Sequence, residues 1–134
     1  MASSAVRAPM TMRLPFTPSS ASVARARLRR WMSDIGGSGE SIEDARVVIS
    51  ELVGNSVRHA RPLADGSVLV TWTLDDGTVR VSVTDGGGGT RPRNVHAPSS
   101  ALAGRGMAIV DVLAEDWWTE RTDSRSTVHA TLHV

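Results

Sequence analysis

The sequence predicts an α/β (α+β) two-layer sandwich, a mixed but mostly antiparallel sheet with three helices on one face. Three observations lead to this class. Apolar periodicity switches between helical and strand spacing in the order β-α-α-β-β-α-β-β. A hairpin signal, Asp75-Asp76-Gly77, joins two alternating segments and makes that pairing antiparallel. The 134 residues, 40% hydrophobic and 22% charged, suit one ordered domain with a buried core. Residues 1–10 are expected to be a flexible tail and residues 11–134 the domain.

The elements follow in order. Residues 11–16 read as a short strand, ended by Pro18. A helix begins at Ser19 or Ser20 with a serine cap, carries Ala24, Leu28, Trp31 and Ile35 at helical spacing, and is stopped by Gly36, Gly37 and Gly39. A second helix is expected over about residues 41–60, with Ser41 and Asp44 approximating a capping box and Pro62 following. Val68, Val70, Trp72 and Leu74 alternate as one strand, and Val79, Val81 and Val83 as the next. Residues 86–104, rich in Gly, Pro and Ser, form the one long irregular segment. A third helix over about residues 105–114 is apolar on nearly all sides apart from Asp111, so it is expected to be buried. Strands near residues 117–121 and 127–134 close the chain.

Composition excludes several function classes. Cysteine is absent, which removes disulfide scaffolds, thiolate catalysis and Cys-ligated metals. All 15 basic residues are arginine, which removes every mechanism that needs a lysine. No apolar run approaches a membrane span and no secretory h-region is visible, so a cytoplasmic location without membrane association is expected. Six arginines against one aspartate give residues 1–35 a charge of +5, and nine against 13 acids give the remainder −4. The excess sits mainly in Arg25, Arg27, Arg29 and Arg30, either a solvated helix face or a contact surface for an acidic partner. That cluster lacks interleaved aromatic residues, so direct nucleic-acid binding is not expected.

Three constellations carry chemistry. On the second helix, Asp44, Glu51, Asn55 and Arg58 fall within one arc at 100° per residue, flanked by Val47 and Val48. An amide oxygen and a carboxylate one turn apart suit a hydrated Mg²⁺ and a proton acceptor, respectively; a surface i,i+4 pair is the plain alternative. Asp85 shares a strand face with Val79, Val81 and Val83, where an isolated carboxylate is costly unless it accepts hydrogen bonds. Gly86 to Gly89 follow directly and allow a backbone to approach a flat ligand, where the carboxylate could read an exocyclic amine; a strand ending in an ordinary Asp-Gly turn is the plain alternative. Gly104-Arg105-Gly106 opens the third helix and suits an anion site, with Thr90, Arg91 and Arg93 in the loop before it; a flexible loop with a solvated arginine pair is the plain alternative.

Together, in this order and spacing, these segments resemble a known superfamily. Residues 51–60, ELVGNSVRHA, resemble the N-box of the GHKL ATPases, residues 85–89, DGGGG, its first glycine box, and residues 104–110, GRGMAIV, its second. The resemblance implies a Bergerat fold with ATP held between sheet and helices. It implies Asn55 as Mg²⁺ ligand, Glu51 as general base, and Arg58 and His59 as neighbours in the pocket. Asp85 would bond the adenine amine with Gly87 and Gly89 behind it, while Gly104, Arg105 and Gly106 would set the lid hinge and phosphate site. Ser126 and Thr127 both qualify as the hydroxyl that helps hold adenine. The short standalone form most resembles the anti-sigma-factor serine/threonine kinases, which implies a sigma factor and a small anti-sigma-factor antagonist as partners and is compatible with a homodimer. The alternative is a non-catalytic ATP-binding regulator of the same fold.

Overall fold

The computed structural model describes residues 6–88 and 107–134. Its elements are β1 (Val6–Pro15), α1 (Ser20–Asp34), α2 (Gly39–His59), β2 (Ser67–Asp75), β3 (Thr78–Asp85), α3 (Met107–Leu113), β4 (Asp116–Arg121) and β5 (Ser126–His133). This is the expected order. The five strands form one sheet in the order β1-β2-β3-β5-β4, so β3 is central. Every pairing is antiparallel, where a mixed sheet was expected. The β2–β3 turn places Asp76 at φ 51° and Gly77 at φ 81°, the two left-handed residues of a type I′ turn whose twist matches the flanking strands. β1 starts at Val6, earlier than the expected residue 11, because its first residues pair with Asp75 and Leu74 beyond a register shift between Arg7 and Met10.

One face of the sheet carries the core. Val68, Val70 and Trp72 of β2, Val79, Val81 and Val83 of β3, Trp117 of β4, and Ala130 and Leu132 of β5 bury against the helices. The helices contribute Ala24, Leu28 and Met32 from α1, Ala45, Val48, Ile49, Leu52 and Val53 from α2, and Met107 and Val110 from α3. Met32 takes the deep position on α1, while Trp31 and Ile35 pack at the core's margin.

Helix ends depart from the sequence reading in instructive ways. Ser19 has helical dihedrals and makes no side-chain cap bond; instead the buried Ser20 hydroxyl donates to the Pro15 carbonyl at 2.5 Å. At the other end, the Gly36 amide bonds Ser33 and the Gly37 amide bonds Met32, with Gly36 at φ 84°, which is a Schellman closure. Gly39 does not stop α1; it opens α2. The cap of α2 is Ser38, whose side chain accepts from the Ser41 amide, so Ser41 with Asp44 is not a capping box. Ser38 wins because its extended backbone (ψ 158°) aims its hydroxyl at that amide, one of the helix's unpaired first donors. Helix α3 is also less buried than its composition suggests. Met107 and Val110 face inward, whereas Ile109 is 43% and Val112 80% exposed, because a seven-residue helix turns only one side to the core. Asp111, the polar exception, accepts from the Trp117 indole at 2.9 Å and ties α3 to β4.

The end of β3 locks onto the exit of α2. The Arg61 amide donates to the Gly87 carbonyl at 2.7 Å, and the Gly86 amide donates to the Arg61 carbonyl at 2.8 Å. A Cβ on Gly86 would overlap the Pro62 carbonyl, and one on Gly88 would lie 2.8 Å from the His59 carbonyl. Both obstacles are backbone and cannot swing aside. Gly86→Ala is therefore expected to destabilise the protein by about 1–3 kcal/mol, as overpacking does. Gly39→Ala, with open space around its Cβ position, serves as control. Urea unfolding of both variants checks this, and equal midpoints for the two would refute it.

Candidate functional site

Asp85 ends the central strand on the core face, as alternation from Val79, Val81 and Val83 requires, and is 5% exposed. A buried carboxylate needs donors, and two reach it. The Ser56 hydroxyl on α2 donates to Oδ2 at 2.6 Å, and the Gly87 amide donates to Oδ1 at 2.8 Å. Burial pushes the Asp85 carboxyl above the ordinary value of 3.8; the Ser56 and Gly87 bonds oppose that shift without cancelling it. Gly87 itself holds φ 84°, a conformation that favours glycine.

Ser56 was missed in the sequence. It follows Leu52 by four residues and Ile49 by seven, so it occupies the apolar stripe of α2. A hydroxyl on a core stripe, set against a carboxylate ending a core strand, is the signal that could have found it.

The N-box residues spread along the same helix. Asn55 Nδ2 donates weakly to the Met107 sulfur at 3.9 Å, linking α2 to α3, while its buried Oδ1 has no hydrogen-bond partner among the described residues. Such an orphaned oxygen is costly unless a ligand satisfies it. Glu51, one turn earlier and half-buried, makes no hydrogen bond or ion pair among the described residues. Arg58 and His59 are exposed at the end of α2. The Arg58 guanidinium folds back over Gly54, with Nη1 3.0 Å from where a Cβ there would sit, and the His59 carbonyl backs Gly88. Neither side chain contacts Asp85 by a hydrogen bond or ion pair.

Register separates the two hydroxyls near the last strand. Ser126 pairs with Asp85, and the cross-strand neighbours Val83 and Val128 continue that face. Thr127 pairs with Thr84, their hydroxyls 2.8 Å apart on the opposite face of the sheet. Thr127 is therefore not beside Asp85. The glycine run also divides by contact: Gly86 and Gly88 lie against the α2 exit, and Gly87 donates to Asp85. Gly89, the lid residues 90–103, and Gly104, Arg105 and Gly106 lie outside the described residues.

The donor set admits a limited metal chemistry. Among the described residues no group of three or more His, Cys, Asp or Glu side chains gathers to hold an ion. One unpartnered amide oxygen fits Mg²⁺ that takes most of its ligands from water and phosphates. No helix among the described residues is long and apolar enough to cross a membrane.

Comparison with known proteins identifies the family. Residues 14–132 match the model of the histidine kinase-like ATPase domain. The serine-protein kinase RsbW of Listeria monocytogenes is 29% identical over 119 residues, which cover 80% of this chain and 76% of the relative. The anti-sigma F factor of Heyndrickxia coagulans is 30% identical over 116 residues, covering 78% and 79%. Among solved structures, the RsbU and RsbW domains of a Mycobacterium tuberculosis protein superpose with a TM-score of 0.73 at 28% identity over 95% of this chain, which spans 32% of that longer one. The SiaB–SiaC complex of Pseudomonas aeruginosa gives 0.65 at 12% identity, a likeness of fold. With the family model matched over residues 14–132, the chain belongs to the histidine kinase-like ATPase domain family.

Proposed function

We propose that the chain is an ATP-binding serine/threonine protein kinase that acts as an anti-sigma factor and phosphorylates a small antagonist protein. The observation that carries the reading is Asp85: a buried carboxylate at the end of the central strand, both oxygens held by protein donors. Such a group accepts the exocyclic amine of adenine. Asn55 Oδ1 offers the oxygen ligand for Mg²⁺, which when bound neutralises phosphate charge. Ser126 stands across from Asp85 as the hydroxyl nearest in register. The names of the relatives, a serine-protein kinase and an anti-sigma factor, support the choice of substrate class and partners.

Glu51 is the base in this reading. It would take the proton from a serine or threonine hydroxyl as that oxygen bonds the γ-phosphorus, the β,γ-bridging bond breaks, and ADP leaves. A carboxylate with no hydrogen-bond or ion-pair partner among the described residues is placed to do this. The remaining catalysis is positioning and charge stabilisation.

Calorimetry on purified protein tests binding. Wild type is expected to bind ATP in the presence of Mg²⁺, and Asp85→Asn to lose about 10–100-fold in affinity, the scale of one hydrogen bond to a charged group. Asn55→Ala is expected to bind ATP with little dependence on Mg²⁺. No binding by wild type at millimolar ATP would defeat the reading.

The same Asp85→Asn variant has a consequence for stability without nucleotide. The folded carboxyl titrates above its ordinary value of 3.8, so its charged form destabilises the fold at higher pH. Asparagine still accepts from Gly87 and donates to the Ser56 oxygen. The variant is therefore expected to be the more stable protein at pH 7.5, by a margin that shrinks as pH falls toward the raised value. Urea midpoints at pH 7.5 and 5.5 check this; a margin that widens on acidification contradicts it.

Glu51→Gln separates transfer from binding. Phosphate incorporation into an antagonist is expected to fall by roughly 10²–10⁴-fold, the usual contribution of a general base. ATP affinity should stay within about threefold, because the amide keeps the shape and Glu51 lies away from Asp85. Transfer at the wild-type rate rejects Glu51 as base.

A further inference from the structure

We propose that Ser56 is a positioning residue for base recognition: its hydroxyl pins Asp85 as a pure acceptor and thereby sets the preference for a purine that presents an amino group. The inference rests on the reading that nucleotide binds at Asp85, and it adds a residue and a specificity to it.

The geometry supports each step. Ser56 and Asp85 are both 5% exposed, and the 2.6 Å bond between them spans α2 and β3. A serine hydroxyl in a helix commonly returns its one proton to the carbonyl four residues earlier. Here that proton goes to Asp85 Oδ2. The Gly87 amide holds Oδ1 from the opposite side of the sequence, so the two oxygens are clamped by donors from separate elements. A carboxylate clamped this way keeps free lone pairs and has no proton to offer. An amino group on the base edge meets an acceptor. A carbonyl at the same place, as in hypoxanthine or guanine, meets lone pairs and is rejected, because it is left unpaired in a dry site. Without the Ser56 hydroxyl, Oδ2 loses its helix donor, the carboxyl is free to turn about its last bond, and the discrimination weakens.

Position gives the residue a second reason to matter. Ser56 is next to Asn55 in sequence, so one turn of α2 orients the group for the base and presents the oxygen for the metal. Its place on the core stripe keeps it from solvent.

The test compares ATP with inosine triphosphate by calorimetry, using wild type, Ser56→Ala, Ser56→Thr and Asp85→Asn. Ser56→Ala is expected to lose about tenfold in ATP affinity, the lower end for a hydrogen bond to a charged group. Inosine triphosphate affinity should change by less than about twofold, so the ATP preference falls by about the same tenfold. Ser56→Thr, which keeps the hydroxyl, should restore the preference. Adding Ser56→Ala to Asp85→Asn should have little further effect, because the two residues act as a unit. A general loss of packing would lower both affinities together and leave their ratio intact. A wild-type ratio in Ser56→Ala overturns the role of Ser56 while Asp85-dependent ATP binding still stands. Absence of ATP binding in wild type overturns the site itself. Should Ser56→Ala fold poorly, Ser56→Cys, with a much weaker donor, is expected to show the same fall in ratio, and an unchanged ratio there refutes the proposal equally.

Discussion

A carboxylate buried at the end of the central strand sets the terms for everything around it. Asp85 is on the core face, where its charge is opposed by desolvation, so the protein must bring donors to it. One comes from α2 and one from the turn that β3 itself enters. The first requirement is met because Ser56 shares the buried face of α2 with Ala45, Val48, Ile49, Leu52 and Val53. With Ser56 inward, Asn55 and Glu51 sit beside the core stripe, half-buried and still reachable.

The glycine segment after Asp85 meets the same constraint from the backbone side. Two hydrogen bonds stitch Gly86 and Gly87 to Arg61, and the carbonyls of His59 and Pro62 occupy the space that side chains at 88 and 86 would need. A run of glycines suggests close approach by another group. In this protein the closest approach at Gly86 and Gly88 is by the chain itself. The segment therefore anchors the α2 exit to the central strand, and the Gly87 amide meets the carboxylate.

The opposite face of the sheet follows different chemistry. His129 bonds Ser82 at 2.7 Å through Nδ1 and Glu120 at 2.6 Å through Nε2, and its ring stacks on Trp118. Arg80 lies over the same indole. This polar and aromatic layer is separated from the helices by the sheet, and Thr127 belongs to it. Strand alternation, applied to two adjacent hydroxyls, assigns one to each face.

Much of the plan was legible in the chain. Element order, the Asp76-Gly77 hairpin, the buried face of each strand and the three motif segments all depend on local periodicity and turn chemistry, which act over a few residues. Asp85 was recognisable as an anomaly because alternation carried a charge onto an apolar face. Other features depend on contacts between distant segments, and no local pattern encodes them. The Ser56–Asp85 bond joins residues 29 apart in sequence and exists only once α2 has packed on the sheet. Which of Ser126 and Thr127 shares the face of Asp85 needed the β3–β5 register, because a one-residue slip would exchange their faces. The cap at Ser38, the exposure of Ile109 and Val112, and the crowding at Gly86 were likewise set by which backbone came near which. Sequence determined the parts and where chemistry could reside; tertiary packing decided which atoms meet, because burial makes each unpaired donor or acceptor costly and only the assembled fold shows which are paired.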